Sequence, residues 1–271
     1  MSVLSAMVAY ATVRTAHPAA QTSLAILGTS LAAGGALSLN QWWERAADAE
    51  MARTCRRPLP AGEVSPSLAL GWSVLLSISG VGVLALGVNG LAAALALATI
   101  VIYGLIYTPL KRRSRWATEV GAISGALPAL LGNAAGGDVS ARGGVALAVL
   151  LLLWQMPHFF AIGWKHRHDY RAAGFRLLPA VDRDGQRTAQ WTFGYAAMLA
   201  LVSVAGWSAG WGGVIFGGTA SVAALWFAWA AWRFLRAGQT RDAAARKLFL
   251  VSIIYLPIVM GALVVESFLA R

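Results

Sequence analysis

Long apolar runs alternate with polar segments along almost the whole chain. Breaking the chain at charges, prolines and glycine clusters gives nine runs, near residues 1–13, 20–40, 67–87, 90–108, 117–135, 143–163, 189–208, 211–232 and 248–269. Most of them have the roughly 20 residues that a helix needs to cross a hydrocarbon layer about 30 Å thick, but the first is too short to cross alone. The pattern predicts an all-α, polytopic membrane helix bundle with about nine transmembrane helices.

The composition agrees with a membrane bundle and excludes an ordinary soluble protein. Of the 271 residues, 58% are hydrophobic and only 12% are charged, whereas soluble domains have about 45–50% apolar and about 25% charged residues. No polar stretch is long enough for a separate soluble domain. We therefore expect residues 1–271 to form one integral-membrane domain.

The net charge of +11 comes mainly from four loops that alternate along the chain. Nineteen of the 22 basic residues lie near residues 45–57, 111–115, 165–187 and 233–247. The other three are Arg14, Arg142 and Arg271. Because Lys and Arg concentrate in cytoplasmic loops, the pattern predicts that these loops and the N-terminus are cytoplasmic. The first thirteen residues are apolar with no basic segment ahead of them, so we expect no cleavable signal peptide or transit sequence and a bacterial cytoplasmic (inner) membrane protein. The loop pattern also explains the basic charge without nucleic acid.

Acidic and amide side chains follow the second apolar run at helical spacing. Asn40, Glu44 and Asp48 recur every four residues, so they share one face if the helix continues past residue 40. Mg²⁺ is commonly held by one or two carboxylates together with substrate phosphates. The stripe therefore indicates a site for Mg²⁺ and a phosphate-bearing substrate. The alternative is an amphipathic helix end whose charges only reach the lipid headgroups.

Basic side chains nearby suit the diphosphate of such a substrate. Arg53 and Arg57 follow the stripe directly, and Lys111 and Arg112 open the next loop on the same side. Guanidinium and ammonium groups beside carboxylates are the donors that a metal-bound diphosphate needs. We expect these four residues to bind the diphosphate.

The third basic loop and the apolar run before it add a carboxylate and histidines. Asp169 is the best candidate there for another metal ligand, and His166 and His168 lie beside it. His158 lies within the apolar run, where an ionisable group is costly and commonly functional. It can ligate a metal or a haem iron, or it can simply hydrogen-bond a neighbouring helix.

In these segments the sequence resembles the membrane-embedded UbiA-type prenyltransferases, and within them the haem O synthase branch. The motifs that carry the resemblance run in order between about residues 20 and 180: the Asn40 to Asp48 stripe, Arg57-Pro-Leu-Pro, Tyr107-Thr-Pro-Leu-Lys111-Arg112, Gly125-Ala-Leu-Pro128, Trp154-Gln-Met-Pro157-His158-Phe159 and Asp169-Tyr170-Arg-Ala-Ala-Gly174. Glu44 stands where the wider family usually has Asp, which keeps a carboxylate. His168 stands where an acidic residue is expected beside Asp169, so the resemblance does not decide whether one or two Mg²⁺ ions bind. The usual polar segment before the first helix is missing, as a misassigned start codon would explain.

The resemblance implies transfer of a farnesyl group from farnesyl diphosphate to a vinyl group of haem B (protohaem IX). It implies Asn40, Glu44, Asp48 and Asp169 as catalytic residues, with Mg²⁺ held by the three carboxylates, and His158 near the haem. The expected active site faces the cytoplasm, and the expected partners are the two substrates, the bilayer and haem A synthase or a terminal oxidase assembly. The alternatives are prenylation of a quinone or chlorophyll precursor, and a transporter that uses His158 and the loop charges as its path.

Overall fold

The computed structural model describes residues 2–13 and 18–269, and these ranges contain helices and no strands. Within these ranges nine main helices carry the fold: α1 (Ser2–Thr12), α2 (Ala19–Glu50), α3 (Pro66–Gly87), α4 (Gly90–Leu110), α5 (Ala117–Ala135), α6 (Arg142–Lys165), α7 (Gln186–Ser208), α8 (Val214–Arg236) and α9 (Arg241–Leu269). Short helices at Arg167–Ala172 and Leu178–Val181 lie in the loop between α6 and α7. The predicted all-α bundle is confirmed.

Seven of these helices, counted within the described ranges, are long and apolar enough to cross a membrane. The two exceptions are α1, which has only 11 residues, and α5, which has 19. Thr118, Glu119 and Asn133 lower the hydropathy of α5. The chain is a multi-pass membrane protein, but the predicted count of nine spans is not confirmed.

Helix α2 continues well past the end of its apolar run, to Glu50. Residues 41–50 contain no Gly or Pro, and the Ala, Glu, Gln and Arg among them are strong helix formers. The helix ends at Met51, which is extended and donates its N–H to the Asp48 carbonyl at 3.4 Å. Because α2 continues past residue 40, Asn40, Glu44 and Asp48 lie on one face of the same helix.

Among the described residues, two large apolar cores divide the bundle into halves, in addition to two smaller clusters. One packs α6 to α9 around side chains such as Phe227 and Tyr255, and the other packs α1 to α5 around Leu84 and Ile100. Helices α2 and α3 approach closely because glycines face each other across the contact. A Cβ built on Gly80 would lie 2.8 Å from the Gly28 carbonyl oxygen, and small residues commonly permit such contacts between transmembrane helices.

Gly80→Ala is expected to destabilise the protein by about 1–3 kcal/mol, since the added methyl group would strike the α2 backbone at Gly28 and Ala32. Gly82→Ala is the matched control on the same helix, because a Cβ there would meet no atom within 4 Å. Thermal unfolding of both variants in detergent measures the difference. Equal melting temperatures would contradict the close packing of α2 on α3.

The four basic loops meet at one end of the bundle. The Arg176 N–H donates to the Lys111 carbonyl at 2.7 Å, which joins the loop after α4 to the loop after α6. Arg167 pairs with Asp242 at 3.1 Å, which joins that loop to the start of α9. This end of the bundle is called the basic face below.

The opposite end carries few basic residues within the described ranges. Arg142 begins α6 there and donates to the Gly210 carbonyl at 3.4 Å, between α7 and α8. Arg14 and Arg271, which the charge pattern also assigns to that side, lie outside the described residues. The helix connectivity therefore separates Arg142 from the basic face, as predicted.

Candidate active site

The polar stripe of α2 lines a small pocket at the basic face. Asn40, Glu44 and Asp48 are 7%, 8% and 1% exposed, and all three line a pocket of about 170 Å³. Asn40 also donates to the Thr108 hydroxyl at 3.0 Å, which links α2 to the end of α4. The stripe faces the protein interior and not the lipid headgroups.

Helix α4 presents a second stripe to the same pocket. Tyr103 and Tyr107, together with Lys111 just after the helix, follow at four-residue spacing and all line the pocket. Over Val101–Tyr107 the helix widens into a π-helix, a rare conformation that is frequent at functional sites. Two stripes, one acidic and one aromatic and basic, therefore face each other across the pocket.

Each carboxylate of the α2 stripe is paired with a cation. Lys111 Nζ lies 2.8 Å from Glu44 Oε1, and Arg57 Nη1 donates to Asp48 Oδ2 at 2.8 Å. Buried charges require such partners, because taking an unpaired charge out of water is costly. The pocket therefore contains two carboxylates and two cations in close contact.

Lys111 carries a permanent positive charge at neutral pH. Burial by itself would lower the pKa of its ammonium group, but the nearby Tyr107 and Glu44 outweigh this and raise the pKa above its ordinary value. The Nζ atom also lies 4.5 Å from the centroid of the Tyr107 ring, a cation–π contact. The pocket therefore offers a fixed cation to an anionic substrate.

The loop between α6 and α7 covers the pocket with Tyr170, Phe175 and Leu177. Arg53 lines the pocket from the α2–α3 loop, and its side chain is exposed. Arg53 has no ion-pair partner among the residues that the structure describes. It is therefore a cation available to a ligand.

Arg112 and Asp169 are not part of this pocket lining. The Arg112 guanidinium lies 6.0 Å from the centroid of the Phe175 ring. Asp169 Oδ2 lies 3.8 Å from His166 Nδ1, and its side chain is 38% exposed. Within the described ranges, no three His, Cys, Asp or Glu side chains are grouped so that they could hold a metal ion. The structure thus places Glu44 and Asp48 in one pocket and Asp169 outside its lining.

An apolar cavity of about 350 Å³ adjoins the polar pocket. Tyr103 and Tyr107 line both spaces. Its walls come from both halves of the bundle, including Ala36 of α2, Leu151 of α6 and Leu256 of α9. A charged chamber therefore lies directly beside an apolar one, with Tyr103 and Tyr107 in the wall of both.

His158 lines the apolar cavity from α6 and is held among aromatic rings. It stacks on Trp154, with ring centroids 4.8 Å apart, and on Phe249 of α9 at 5.3 Å. Its Nδ1 lies 2.7 Å from the Ser252 hydroxyl. The ring is therefore fixed in orientation by contacts from two helices.

The Ser252 contact also selects the tautomer of His158. The Ser252 hydroxyl donates its one hydrogen to the Phe249 carbonyl at 2.6 Å, so it must accept from His158 Nδ1–H. A neutral imidazole then has an unprotonated Nε2, which is the form that binds a metal or accepts a hydrogen bond. Nε2 has no hydrogen-bond partner among the described residues.

Residues 2–253 match the model of the UbiA prenyltransferase family. The chain belongs to this family. A protein of Opitutus terrae named protoheme IX farnesyltransferase is 46% identical over 267 residues, covering 98% of this chain and 90% of that protein. The resemblance seen in the motifs is thus confirmed.

Solved structures share the UbiA fold. A digeranylgeranylglyceryl phosphate synthase structure matches with a TM-score of 0.79 at 18% identity, covering 98% of this chain and 92% of that one. A UbiA homologue from Archaeoglobus fulgidus bound to GPP and Mg²⁺ matches with a TM-score of 0.65 at 13% identity, covering 96% and 94%. At these identities the likeness shows a common fold.

The sequence motifs of this UbiA-family chain do not include Tyr103, Phe249 or Ser252. The spacing of Tyr103, Tyr107 and Lys111 repeats that of the acidic stripe, and this signal could have revealed the second stripe. Ser252 lies 94 residues from His158. No local pattern connects the two, so only the packing of α6 on α9 reveals their contact.

Proposed function

We propose that this UbiA-family chain transfers a farnesyl group from farnesyl diphosphate to a vinyl group of haem B and so makes haem O for terminal oxidases. The observation that carries the proposal is that the charged pocket and the apolar cavity share Tyr103 and Tyr107. A diphosphate suits the first space, while an isoprenoid tail and a flat macrocycle suit the second. The identity to the Opitutus terrae farnesyltransferase supports haem as the acceptor.

Glu44 and Asp48 are proposed to hold Mg²⁺, with Asn40 beside them. Their carboxylates are hard oxygen donors on one helix face in a polar pocket, a donor set that fits Mg²⁺ shared with phosphate oxygens. When bound, the ion would supply positive charge that stabilises the leaving diphosphate. Whether a second ion binds depends on Asp169.

Arg53, Arg57 and Lys111 are proposed to bind the diphosphate. When it enters, Arg57 and Lys111 would turn from Asp48 and Glu44 to the phosphate oxygens, with which Arg forms two parallel hydrogen bonds. Arg53, which is exposed, can move without breaking an ion pair. Arg112 follows Lys111 in the same loop. It is proposed to contact the diphosphate from outside the pocket lining, which requires its guanidinium to move away from the Phe175 ring.

The proposed chemistry needs both spaces. Departure of diphosphate leaves an allylic cation at the junction, where the ring faces of Tyr103 and Tyr107 can attract positive charge. The vinyl group of haem B attacks this cation and forms the new carbon–carbon bond. Water then adds to the resulting cation and releases a proton, which gives the hydroxyethylfarnesyl side chain. An apolar cavity suits these steps, because bulk water would quench the first cation too early.

His158 is proposed to contact the haem through Nε2. The neutral ring would serve as an axial ligand, whereas a ring that carries a proton on Nε2 as well would donate to a propionate. The hydrogen bond from Nδ1 to Ser252 supports this role, since metal-binding histidines usually have the other ring nitrogen held by a hydrogen bond. Ser252 would then act as a positioning residue.

Asp169→Ala tests whether this carboxylate belongs to the metal site. If Asp169 binds a second Mg²⁺, the variant should lose activity nearly as severely as a change at Asp48, and His168→Ala should be mild. If His168 faces the metal, His168→Asp should lower the Mg²⁺ concentration needed for half-maximal activity. Activity of Asp169→Ala within about threefold of the parent would exclude Asp169 from the site, and an unchanged Mg²⁺ dependence of His168→Asp would exclude His168.

The basic face and the active site are proposed to lie on the cytoplasmic side of the bacterial inner membrane, with the N-terminus in the cytoplasm. Reporter fusions after Arg57, Arg113, Arg176 and Arg241 should all report the cytoplasm. A periplasmic signal at any two of these positions would contradict the orientation.

We further propose that residues 1–271 form a single domain. The haem O made by this domain is proposed to pass to haem A synthase or a terminal oxidase assembly in the same membrane.

Mass analysis of the haems of a bacterium that lacks its own haem O activity tests the function. Expression of this chain should produce haem O, and expression of an inactive Asp48 variant at the same level should not. Accumulation of a prenylated quinone or chlorophyll precursor with haem B unchanged would identify a different acceptor. An unchanged pool of all these compounds would contradict a prenyltransferase acting in that cell.

A further inference from the structure

A second large cavity lies beside the ends of α8 and α9 at the basic face. Its volume is about 740 Å³, and it shares none of its lining residues with the polar pocket or the apolar cavity. Arg233, Arg236 and Lys247 line it together with the tryptophans Trp229 and Trp232. We call this cavity the α8–α9 groove. The proposed catalytic steps use none of these residues.

The three cations of the groove have no acidic partners within the described part of the chain. Arg233 lies over the Trp229 ring, 5.1 Å from its centroid. Asp242, the acidic residue at the start of α9, is already engaged by Arg167 and by Trp164. The groove therefore has an uncompensated positive charge.

The groove also reaches the start of α9. Thr240, Ala243 and Ala244, from the end of the preceding loop and the first turn of α9, line the groove. Three side-chain cations in one groove favour an anion with several oxygens, such as a phosphate.

The remaining wall of the groove is apolar and faces outward. Trp229, Trp232 and Leu250 line it and are 52%, 45% and 58% exposed. A free phosphate ion gains nothing from such a wall. A phospholipid gains from both parts, since its phosphate meets the cations while its acyl chains lie on the apolar side chains. Trp residues and basic grooves at the ends of transmembrane helices are typical of the headgroup level.

We propose that the α8–α9 groove binds an anionic phospholipid. Its phosphate lies among Arg233, Arg236 and Lys247, and its acyl chains run along Trp232 and Leu250. The positive-inside pattern explains why basic residues are at this end of the bundle. It does not explain why these three line one groove and lack acidic partners.

The test uses the full-length protein in detergent, titrated with phosphatidylglycerol and examined by native mass spectrometry. The parent should retain one phosphatidylglycerol in a saturable manner, and phosphatidylcholine should not compete with it. The triple variant Arg233→Gln, Arg236→Gln, Lys247→Gln should bind it about 100-fold more weakly, since each basic residue near a membrane surface contributes about fivefold in affinity. These side chains are exposed, so the variant should fold.

A matched control removes the same charge from the same face. Arg56, Arg113 and Arg183 are exposed and lie outside the groove, so their triple Gln variant should retain phosphatidylglycerol like the parent. Equal loss in both variants would show general surface charge and overturn the proposal, as would no loss in the groove variant. Displacement of the lipid by millimolar inorganic phosphate would show a site for free phosphate instead.

Discussion

Asp48→Ala is expected to reduce farnesyl transfer by at least about 100-fold, the scale on which loss of one group stabilising transition-state charge acts. Asp48 is 1% exposed, lines the polar pocket and is one of only two carboxylates on the stripe. Its removal would weaken Mg²⁺ binding and leave the charge of the departing diphosphate less well stabilised. Turnover with saturating farnesyl diphosphate and Mg²⁺ measures the loss.

Glu50→Ala is the control for Asp48→Ala. Glu50 is on the same helix, two residues further on, and is exposed outside the pocket. Its removal changes the net charge equally and should leave activity within about twofold of the parent. Arg57, the partner that Asp48→Ala leaves behind, is 35% exposed and can reach water, so that variant should still fold. Retained activity in purified Asp48→Ala would reject the metal assignment.

His158→Ala is expected to weaken haem B binding at least about tenfold while farnesyl diphosphate binding stays unchanged, because His158 lies in the apolar cavity and not in the diphosphate pocket. If His158 is an axial ligand, the Soret band of bound haem should also shift, since the ligand field of the iron changes. If it holds a propionate, the band should stay nearly in place. Haem titration followed by absorption distinguishes the two.

Ser252→Ala keeps the imidazole of His158 and removes only the group that fixes its tautomer. It should weaken haem binding in the same direction as His158→Ala, but less. His168→Ala removes an exposed histidine of the third loop and should leave haem binding unchanged. Unchanged affinity and spectrum in both His158→Ala and Ser252→Ala would place the haem elsewhere in the bundle.

The sequence predicts the helices well, because apolar runs and the charges, prolines and glycines between them are local signals. Ser65 caps α3 by accepting from the Leu68 N–H, and Asn89 caps α4 by accepting from the Ala92 N–H at 2.8 Å. The observed starts of α3 and α4 accordingly lie within one residue of the predicted ones. Hydropathy does not predict where α2 ends. The helix continues to Glu50 because no Gly or Pro interrupts it after the apolar run.

The acidic side of the pocket could be predicted because one helix carries it at regular spacing. Lys111, which pairs with Glu44, comes from the loop after α4, so that pairing depends on how α2 and α4 pack. Arg57, which pairs with Asp48, comes from the loop after α2, and its pairing depends on how that loop folds back. The widened turn before Tyr107 has no marker in the sequence. Asp169 lies in the loop between α6 and α7. Helical periodicity cannot specify where that loop lies relative to α2, so it cannot predict whether Asp169 reaches the metal site.

The most direct test of the account is a competition reaction with the purified protein. Haem B and an aromatic quinone precursor are supplied together with farnesyl diphosphate and Mg²⁺, and the products are identified by mass spectrometry. The expected product is haem that has gained one farnesyl group and one hydroxyl group, formed by the parent protein and absent with Asp48→Ala. Unmodified haem B beside a farnesylated quinone precursor would contradict it.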